Sequence, residues 1–248
     1  MVGLLSDIGN VRKLNEDYAD YYESEKFKFY VVADGMGGHN AGEVASKIAV
    51  EATMEYIKNN VNTKEEQMGI CLENAVKYAN EKIYEKANSS ESLSGMGTTI
   101  TACLIKNNSM VVANVGDSGC FSVTKNGITK ITKDHSLVQQ LVDTGTITEE
   151  EAMTHPNKNI ITRALGTSKF VDVDIFNIDL AGTYKFVLST DGLTNGVTIH
   201  EIYDIVLKND NDEACSKLVE LSKVKGSRDN ISVIVFGGED RDDRNYSK

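Results

Sequence analysis

Residues 98–115 read TTITACLIKNNSMVVANV, two apolar runs rich in β-branched residues on either side of a polar segment at 106–109. Runs of this length and composition are typical of buried strands, and asparagine and serine are frequent turn residues. A connection this short predicts antiparallel pairing, because parallel strands need a much longer crossover. The centre of the chain is therefore expected to be an antiparallel β-hairpin.

The same pattern extends outward from this hairpin. A second hairpin is predicted around Asn126-Gly127, since an Asn-Gly pair favours tight turns between strands. Apolar and β-branched runs predict strands at residues 27–33, 98–105, 110–115, 120–124, 128–132, 171–178, 184–189 and 231–236.

Helical periodicity occurs in two separate groups. Capping boxes predict helix starts at Thr63 with Glu66 and at Thr148 with Glu151. Apolar spacing predicts helices at residues 41–57, from 63 to about 83, 136–142, 148–153, 199–207 and 212–224. We find no linker or internal repeat, so the chain is expected to form one α/β sandwich domain with helices on each side of antiparallel sheets.

Composition excludes several classes of protein. The net charge of −11 argues against a nucleic-acid partner, which would require clustered Lys and Arg. The four cysteines lie far apart with no Cys-x-x-Cys pair, so they are expected to be reduced core residues. Without an apolar stretch of membrane-spanning length or a signal peptide, the sequence predicts a soluble, cytoplasmic protein with no membrane partner. Residues 239–248 are expected to be a polar tail.

Four aspartates occupy similar positions at the ends of predicted strands. Asp34, Asp117 and Asp191 follow strands, and Asp229 precedes one. The first three have a neighbouring glycine, which allows the backbone to approach a bound ion closely. Clustered carboxylates repel one another unless a cation neutralises them, and oxygen ligands favour Mg²⁺, Mn²⁺ or Ca²⁺. The alternative is ordinary turn chemistry, because Asp beside Gly is a common turn pair.

Other sites have weaker support. The glycine-rich segment 35–38 lacks the Lys and Ser/Thr of a P-loop. The sequence has no Gly-x-Ser-x-Gly motif and its histidines are dispersed, which disfavours a serine hydrolase. His39 and His135 adjoin the candidate segments, and each fits a structural or a catalytic role equally well.

Taken together, these segments resemble the metal-dependent PPM family, the type 2C serine/threonine protein phosphatases, in its bacterial form. The resemblance covers residues 1–238 through eight motifs in family order: Ser6-Asp7-Ile8-Gly9 with Arg12 and Asn15-Glu16-Asp17; Val32-Ala33-Asp34-Gly35-Met36-Gly37-Gly38-His39; Gly95-Met96-Gly97-Thr98-Thr99; Asn114-Val115-Gly116-Asp117-Ser118; Asp134-His135-Ser136; Thr162-Arg163-Ala164-Leu165-Gly166; Ser189-Thr190-Asp191-Gly192-Leu193-Thr194; and Asp229-Asn230-Ile231-Ser232.

The resemblance implies an α+β fold, a four-layer α-β-β-α sandwich, with a flap at about residues 136–165. It also implies two Mn²⁺ or Mg²⁺ ions and a third, weaker one. The implied roles are that Asp34 bridges the two metals, Asp191 and Asp229 complete the first, the Gly35 carbonyl and Asp17 serve the second, Asp117 holds the third alongside Asp191, and Arg12 grips the substrate phosphate.

Two departures from the family pattern matter for the expected chemistry. Met36 stands where many eukaryotic relatives have a histidine that is proposed to be a general acid, so the metals and their water are expected to manage the protons. Gly119 stands where an arginine usually follows Asp-Ser.

The expected activity is removal of phosphate from phosphoserine or phosphothreonine by a monomeric enzyme that opposes a bacterial Ser/Thr kinase. Two alternatives remain at this level. One is a catalytically weak binding module on the same scaffold, and the other is a hydrolase of small phosphoesters.

Overall fold

The computed structural model describes residues 1–37, 41–61 and 65–237, apart from the side chain of Glu66. Gly38, His39, Thr63 and the predicted tail at 239–248 lie outside the described residues, and so does the capping box expected for the second helix. The described strands are β1 (Gly3–Asp7), β2 (Asp17–Glu23), β3 (Lys28–Met36), β4 (Gly97–Thr98), β5 (Ile100–Lys106), β6 (Ser109–Val115), β7 (Gly119–Thr124), β8 (Gly127–Lys130), β9 (Asp174–Asp179), β10 (Thr183–Ser189) and β11 (Ile231–Gly237).

The helices of the described residues form two large groups and one small one. They are α1 (Gly42–Asn60), α2 (Met68–Ala87), α3 (Leu137–Asp143), α4 (Glu149–Thr154), α5 (Asp191–Thr194), α6 (Ile199–Lys208) and α7 (Asn211–Val224). The capping box at Thr148 and Glu151 is present at the start of α4, as predicted. Within the described residues, no helix is both long enough and apolar enough to cross a membrane.

Two antiparallel sheets form the centre of the molecule. The first has the order β1-β11-β10-β7-β8, and the second has the order β2-β3-β5-β6-β9 with β4 paired to β3. The central hairpin is confirmed, because β5 pairs with β6 from Ile100↔Val115 to Lys106↔Ser109. Its turn contains Asn107 at a φ of 52°, a left-handed conformation that asparagine tolerates well.

Three separate groups of buried side chains lie between successive layers, so the molecule has four layers. Alternate residues of β3 point in opposite directions: Val31 packs under α1 and α2, whereas Tyr30 and Val32 face the other sheet. Val233 and Leu218 belong to the third group, between the first sheet and helices α5 to α7. The α-β-β-α sandwich expected from the resemblance is confirmed.

The interior between the sheets is packed with aromatic rings and thiols. Tyr30 and Phe236 stack across it with ring centroids 3.8 Å apart. Cys103 and Cys120 come from opposite sheets, with their sulfurs 3.7 Å apart. All four cysteines are buried and free, so the prediction that they are core residues is confirmed.

Several element boundaries differ from the sequence prediction. β3 continues past Ala33 to Met36, because Gly35 and Met36 pair with β4. The strand predicted at 98–105 is divided: Thr99 leaves the ladder and donates its N–H to the Asp34 carbonyl at 2.9 Å. The predictions omitted β1, β2 and the short α5, whose exposed or mixed residues do not show a clear apolar period.

Candidate active site

The predicted site aspartates converge where the two sheets meet. Asp17 on β2 and Asp34 on β3 are cross-strand partners. On the other sheet, Asp191 opens α5 directly after β10, and Asp229 lies two residues before β11. The ends of β10 and β11 are tied together by the Thr190 N–H, which donates to the Ser232 carbonyl at 3.1 Å.

Asp17 joins the two sheets. Its Oδ2 accepts hydrogen bonds from the hydroxyls of Thr190 and Ser232, both at 2.8 Å. Its Oδ1 is buried without a hydrogen-bond partner among the described residues. Burial raises the pKa of Asp17 to about 7. The hydrogen bonds from Ser232 and Thr190 oppose this rise, and repulsion from Asp191 and Asp229 adds to it. A cation at the unpaired oxygen would therefore stabilise the ionised form of Asp17.

Asp34 lies inside β3, which differs from the expected position after the strand. Its N–H donates to Thr99 Oγ1 at 2.9 Å, and its carbonyl accepts the Thr98 hydroxyl at 2.8 Å. Burial raises the pKa of Asp34 well above its usual range, and repulsion from Asp17 and other carboxylates raises it further. The backbone is held on both sides, so the carboxylate has a defined position in the cluster.

Asp191 and Asp229 complete the opposite side of the site. Asn195 Nδ2 donates to Asp191 Oδ2 at 2.9 Å, and Asp191 Oδ1 is buried with no hydrogen-bond partner within the described residues. Burial raises the pKa of Asp191, and repulsion from Asp229 acts in the same direction. Asp229 Oδ2 binds Arg12 Nη2 at 2.8 Å, and this bond raises the pKa of Arg12.

Asp117 lies in the turn between β6 and β7. Burial raises the pKa of Asp117 to about 7, and the charges of Asp191 and then Asp134 raise it as well. The neighbouring Ser118 hydroxyl is 2.7 Å from Thr99 Oγ1, the same atom that accepts the Asp34 N–H. The turn is thereby connected to the strand that carries Asp34.

Gly35 is required by a close backbone approach. A Cβ at this position would lie 2.1 Å from the Gly42 carbonyl oxygen and 2.5 Å from the Glu16 carbonyl oxygen. The expectation was that glycine here admits an ion, but the contacts that exclude a side chain are made by other backbone atoms. The result is that the start of α1 is held directly against the site.

The residues present fit a hard divalent cation. Asp17 is buried, and Asp34, Asp117 and Asp191 are half-buried. Loss of solvation raises the pKa of all four, and repulsion between carboxylates adds to it. Asp17 and Asp191 each have a buried oxygen without a hydrogen-bond partner among the described residues. Among residues 1–37, 41–61 and 65–237, however, no three His, Cys, Asp or Glu side chains form a compact ligand set by themselves. Backbone oxygens and water must therefore complete any coordination shell, as is usual for Mg²⁺.

The structure adds residues that sequence reasoning left out. Glu16 lies close to Arg12 and Asp229, and burial raises the pKa of its carboxyl. Asn230 orders the same region: its Oδ1 accepts the Glu16 N–H at 2.8 Å, and its Nδ2 donates to the carbonyls of Ile8 and Leu14. Glu16 is adjacent to Asp17 and Asn230 is adjacent to Asp229. This adjacency to predicted site residues is the signal by which the sequence could have indicated them.

The position of Gly119 also has a physical explanation. Its Cβ would lie 3.1 Å from Lys130 Cε and 3.3 Å from the Phe121 ring, so Lys130 already occupies the adjacent space. Lys130 Nζ pairs with both oxygens of Asp134, at 2.5 and 2.7 Å. A lysine on the neighbouring strand thus supplies a positive charge beside this turn.

A groove borders the carboxylate cluster. It has a volume of about 460 Å³ and runs between β2 and α1. Asp17 forms part of its wall, and the remaining lining residues are Asn15, Tyr18, Glu43, Val44, Lys47, Ile48 and Glu51. The groove lies beside the aspartates and does not enclose them.

The chain is similar to known protein phosphatases. The sequence profile of the family described as "Protein phosphatase 2C" matches residues 10–220. The chain is 38% identical over 233 residues to the "Serine/threonine phosphatase stp" of Listeria welshimeri, covering 93% of this chain and 92% of that protein.

Two solved structures show the same similarity in three dimensions. The serine/threonine phosphatase Stp1 of Staphylococcus aureus superposes with a TM-score of 0.90 at 36% identity, covering 96% of this chain and 94% of that one. The catalytic domain of the phosphatase PstP, solved with two manganese ions, has a TM-score of 0.80 at 33% identity, covering 95% and 96% of the two chains. The chain belongs to the protein phosphatase 2C family and is a bacterial, metal-dependent serine/threonine protein phosphatase.

Proposed function

We propose that the cluster of Asp17, Asp34, Asp191, Asp229 and the Gly35 carbonyl holds two Mn²⁺ or Mg²⁺ ions for hydrolysis of phosphoserine and phosphothreonine. The observation that carries this proposal is the set of buried and half-buried, mutually repelling carboxylates at the junction of the two sheets. Asp34 would bridge the two ions, since it lies within electrostatic reach of Asp17, Asp191 and Asp229.

When bound, the ions would lower the pKa of a water molecule and offset the charge that develops on the phosphoryl group. The aspartates orient the ions by presenting oxygens from two different sheets. Asp117 and Asp191 together would hold a third, weaker ion, since the charge of Asp191 raises the pKa of Asp117.

Arg12 binds the substrate phosphate. Its side chain is 47% exposed, and one of its nitrogens is held by Asp229, which leaves other N–H groups of the guanidinium free to face a phosphate. No titratable side chain stands at the second position after Asp34, because that residue is Met36. Water within the site is therefore proposed to supply the leaving group's proton.

The proposed chemistry also implies a cellular role. The substrates are proposed to be phosphoproteins of the cytoplasm, modified by a Ser/Thr kinase that the enzyme opposes. We further propose that residues 1–238 act as one monomeric domain, because the four layers share cores that run from Val2 to Phe236.

The decisive experiment removes single carboxylates. We expect Asp34→Asn and Asp191→Asn to abolish Mn²⁺-dependent hydrolysis of a phosphothreonine peptide, because each loses a ligand charge with little change of shape. Circular dichroism should show an unchanged fold. A phosphotyrosine peptide serves as the comparison substrate, and undiminished turnover in either variant would contradict the mechanism.

A further inference from the structure

Two motifs, Asp134-His135-Ser136 and Thr162-Arg163, have no part in the proposed chemistry, yet the structure connects both to the Asp117 turn. His135 is 8% exposed and lies immediately before the flap at 136–165. Its N–H donates to the Gly116 carbonyl at 2.9 Å, and its Nδ1 accepts the Gly116 N–H at 3.0 Å. His135 therefore binds both polar backbone groups of the residue before Asp117.

The turn at Gly116 depends on this support. Gly116 has a φ of 107°, which other residues rarely adopt, and a Cβ there would lie 2.5 Å from Thr99 Cγ2. Asn114 Nδ2 adds a third contact by donating to the Gly116 carbonyl at 3.2 Å. A backbone in an uncommon conformation persists when surrounding contacts determine it, so the direction of Asp117 depends on them.

The other side of the imidazole ring faces the end of the flap. Because Nδ1 is an acceptor, the neutral ring carries its hydrogen on Nε2. Nε2 lies 3.2 Å from Asp174 Oδ2 without being aligned as a hydrogen bond. Asp174 Oδ1 pairs with Arg163 Nη1 at 2.6 Å. His135 and Arg163 thus share one carboxylate.

The two ends of the flap also meet at His135. The Thr162 N–H donates to the His135 carbonyl at 2.7 Å, and Ser136 forms a β-bridge with Ile161. A movement of Ser136, Ile161 or Thr162 is therefore expected to move His135, the residue that binds Gly116. The start of the flap, its end and the Asp117 turn form one connected unit.

We propose that His135 is a positioning residue that sets the direction of the Asp117 carboxylate and couples it to the flap through Asp174 and Arg163. This proposal rests on the proposed function in one respect, which is the role of Asp117 as a ligand of the third ion. A histidine that only fills the core would affect overall stability and would leave metal affinities unchanged.

The test compares His135→Ala, His135→Asn and Asp117→Ala, with His200→Asn on the exposed face of α6 as the matched control. Mn²⁺ binding is measured by calorimetry, and backbone motion is measured by hydrogen–deuterium exchange. His135→Ala should weaken the weakest Mn²⁺ site about tenfold, the lower end of the loss usual when a residue supporting a metal ligand is removed. It should also speed exchange at residues 114–118 and 160–164 together. The two tighter sites should keep their affinities.

His135→Asn is the rescue variant, because its side-chain oxygen can accept the Gly116 N–H while the Asp174 contact is lost. It should restore the weakest site to within about threefold of the wild type and leave exchange fast only at residues 160–164. His200→Asn should change none of these values.

The outcomes separate the two levels of the argument. If Asp117→Ala weakens the third site and His135→Ala does not, the positioning role is overturned. If Asp117→Ala leaves every Mn²⁺ affinity unchanged, the third-ion assignment of the proposed function is overturned, and exchange alone then decides the positioning role. Unchanged hydrogen–deuterium exchange at residues 114–118 in His135→Ala would overturn the positioning role of His135.

Discussion

At the scale of single residues, burial and charge distinguish the proposed metal ligands from the proposed substrate-binding residue. The aspartates are at least half-buried and repel one another, whereas Arg12 is half exposed and pairs with Asp229. A planar guanidinium can offer two parallel hydrogen bonds to phosphate, which an ammonium group cannot. This geometry supports the proposal that Arg12 binds a substrate that the carboxylates would otherwise repel.

We expect Arg12→Ala to raise KM for a phosphothreonine peptide by about tenfold, the equivalent of one charge-assisted hydrogen bond of about 1.5 kcal/mol. Arg12→Lys should recover part of this loss. Lys13→Ala removes one positive charge from the same loop and should leave KM unchanged. The measurement is steady-state kinetics at saturating Mn²⁺, and an unaltered KM in Arg12→Ala would refute the phosphate contact.

At the scale of elements, two capping boxes of the same composition stand in different surroundings. Thr148 and Glu151 cap α4, which has no buried residue and belongs to the flap. Thr198 and Glu201 cap α6, which buries Ile202 and Val206 against the first sheet. A cap contributes to global stability only where the helix it begins is part of the cooperatively folded core.

Thr198→Ala is therefore expected to lower the free energy of unfolding by about 1 kcal/mol, the usual effect of losing a threonine cap. Thr148→Ala should change global stability by less than about 0.5 kcal/mol, because its helix can fray while the core remains folded. Urea denaturation of both variants measures the difference. Equal losses would mean that the flap helix unfolds together with the core.

At the scale of the whole molecule, the two sheets bring like charges together, and this has a cost that depends on pH. Burial raises the pKa of Asp17 and of Asp117 to about 7, far above the value of 3.8 for an exposed aspartate. The folded state therefore binds protons more tightly than the unfolded state does. These groups favour folding at low pH, and their contribution is lost as pH rises through about 7.

In the presence of EDTA, we expect the free energy of unfolding to fall between about pH 4 and pH 7, by up to about 1.4 kcal/mol per pH unit for each proton involved. Mn²⁺ binds the ionised carboxylates, so it should raise the melting temperature more at pH 8 than at pH 6. Asp17→Asn should reduce the slope. A stability that rises over this range in EDTA would contradict the raised pKa values.

The residues of the site differ in how far they could be predicted. Asp34, Asp191 and Asp229 stand out because each lies beside a strong apolar run and a recognisable motif. Asp17 was named only through the resemblance, since β2 is a partly exposed strand with no clear alternation. His135 could not be assigned a role, because its partners at Gly116 and Asp174 lie 19 and 39 residues away along the chain.

By itself, the sequence determined that this chain forms antiparallel strands with two groups of helices, because hydrophobic periodicity is a local property. It also determined the kind of chemistry, through aspartates next to glycines in an ordered set of motifs. Only the tertiary structure decided which groups meet: Asp17 with Thr190 and Ser232 across two sheets, and the flap with the Asp117 turn through His135. The physical reason is that burial and mutual repulsion, which shift the pKa of each carboxylate, exist only after residues distant in sequence have been folded together.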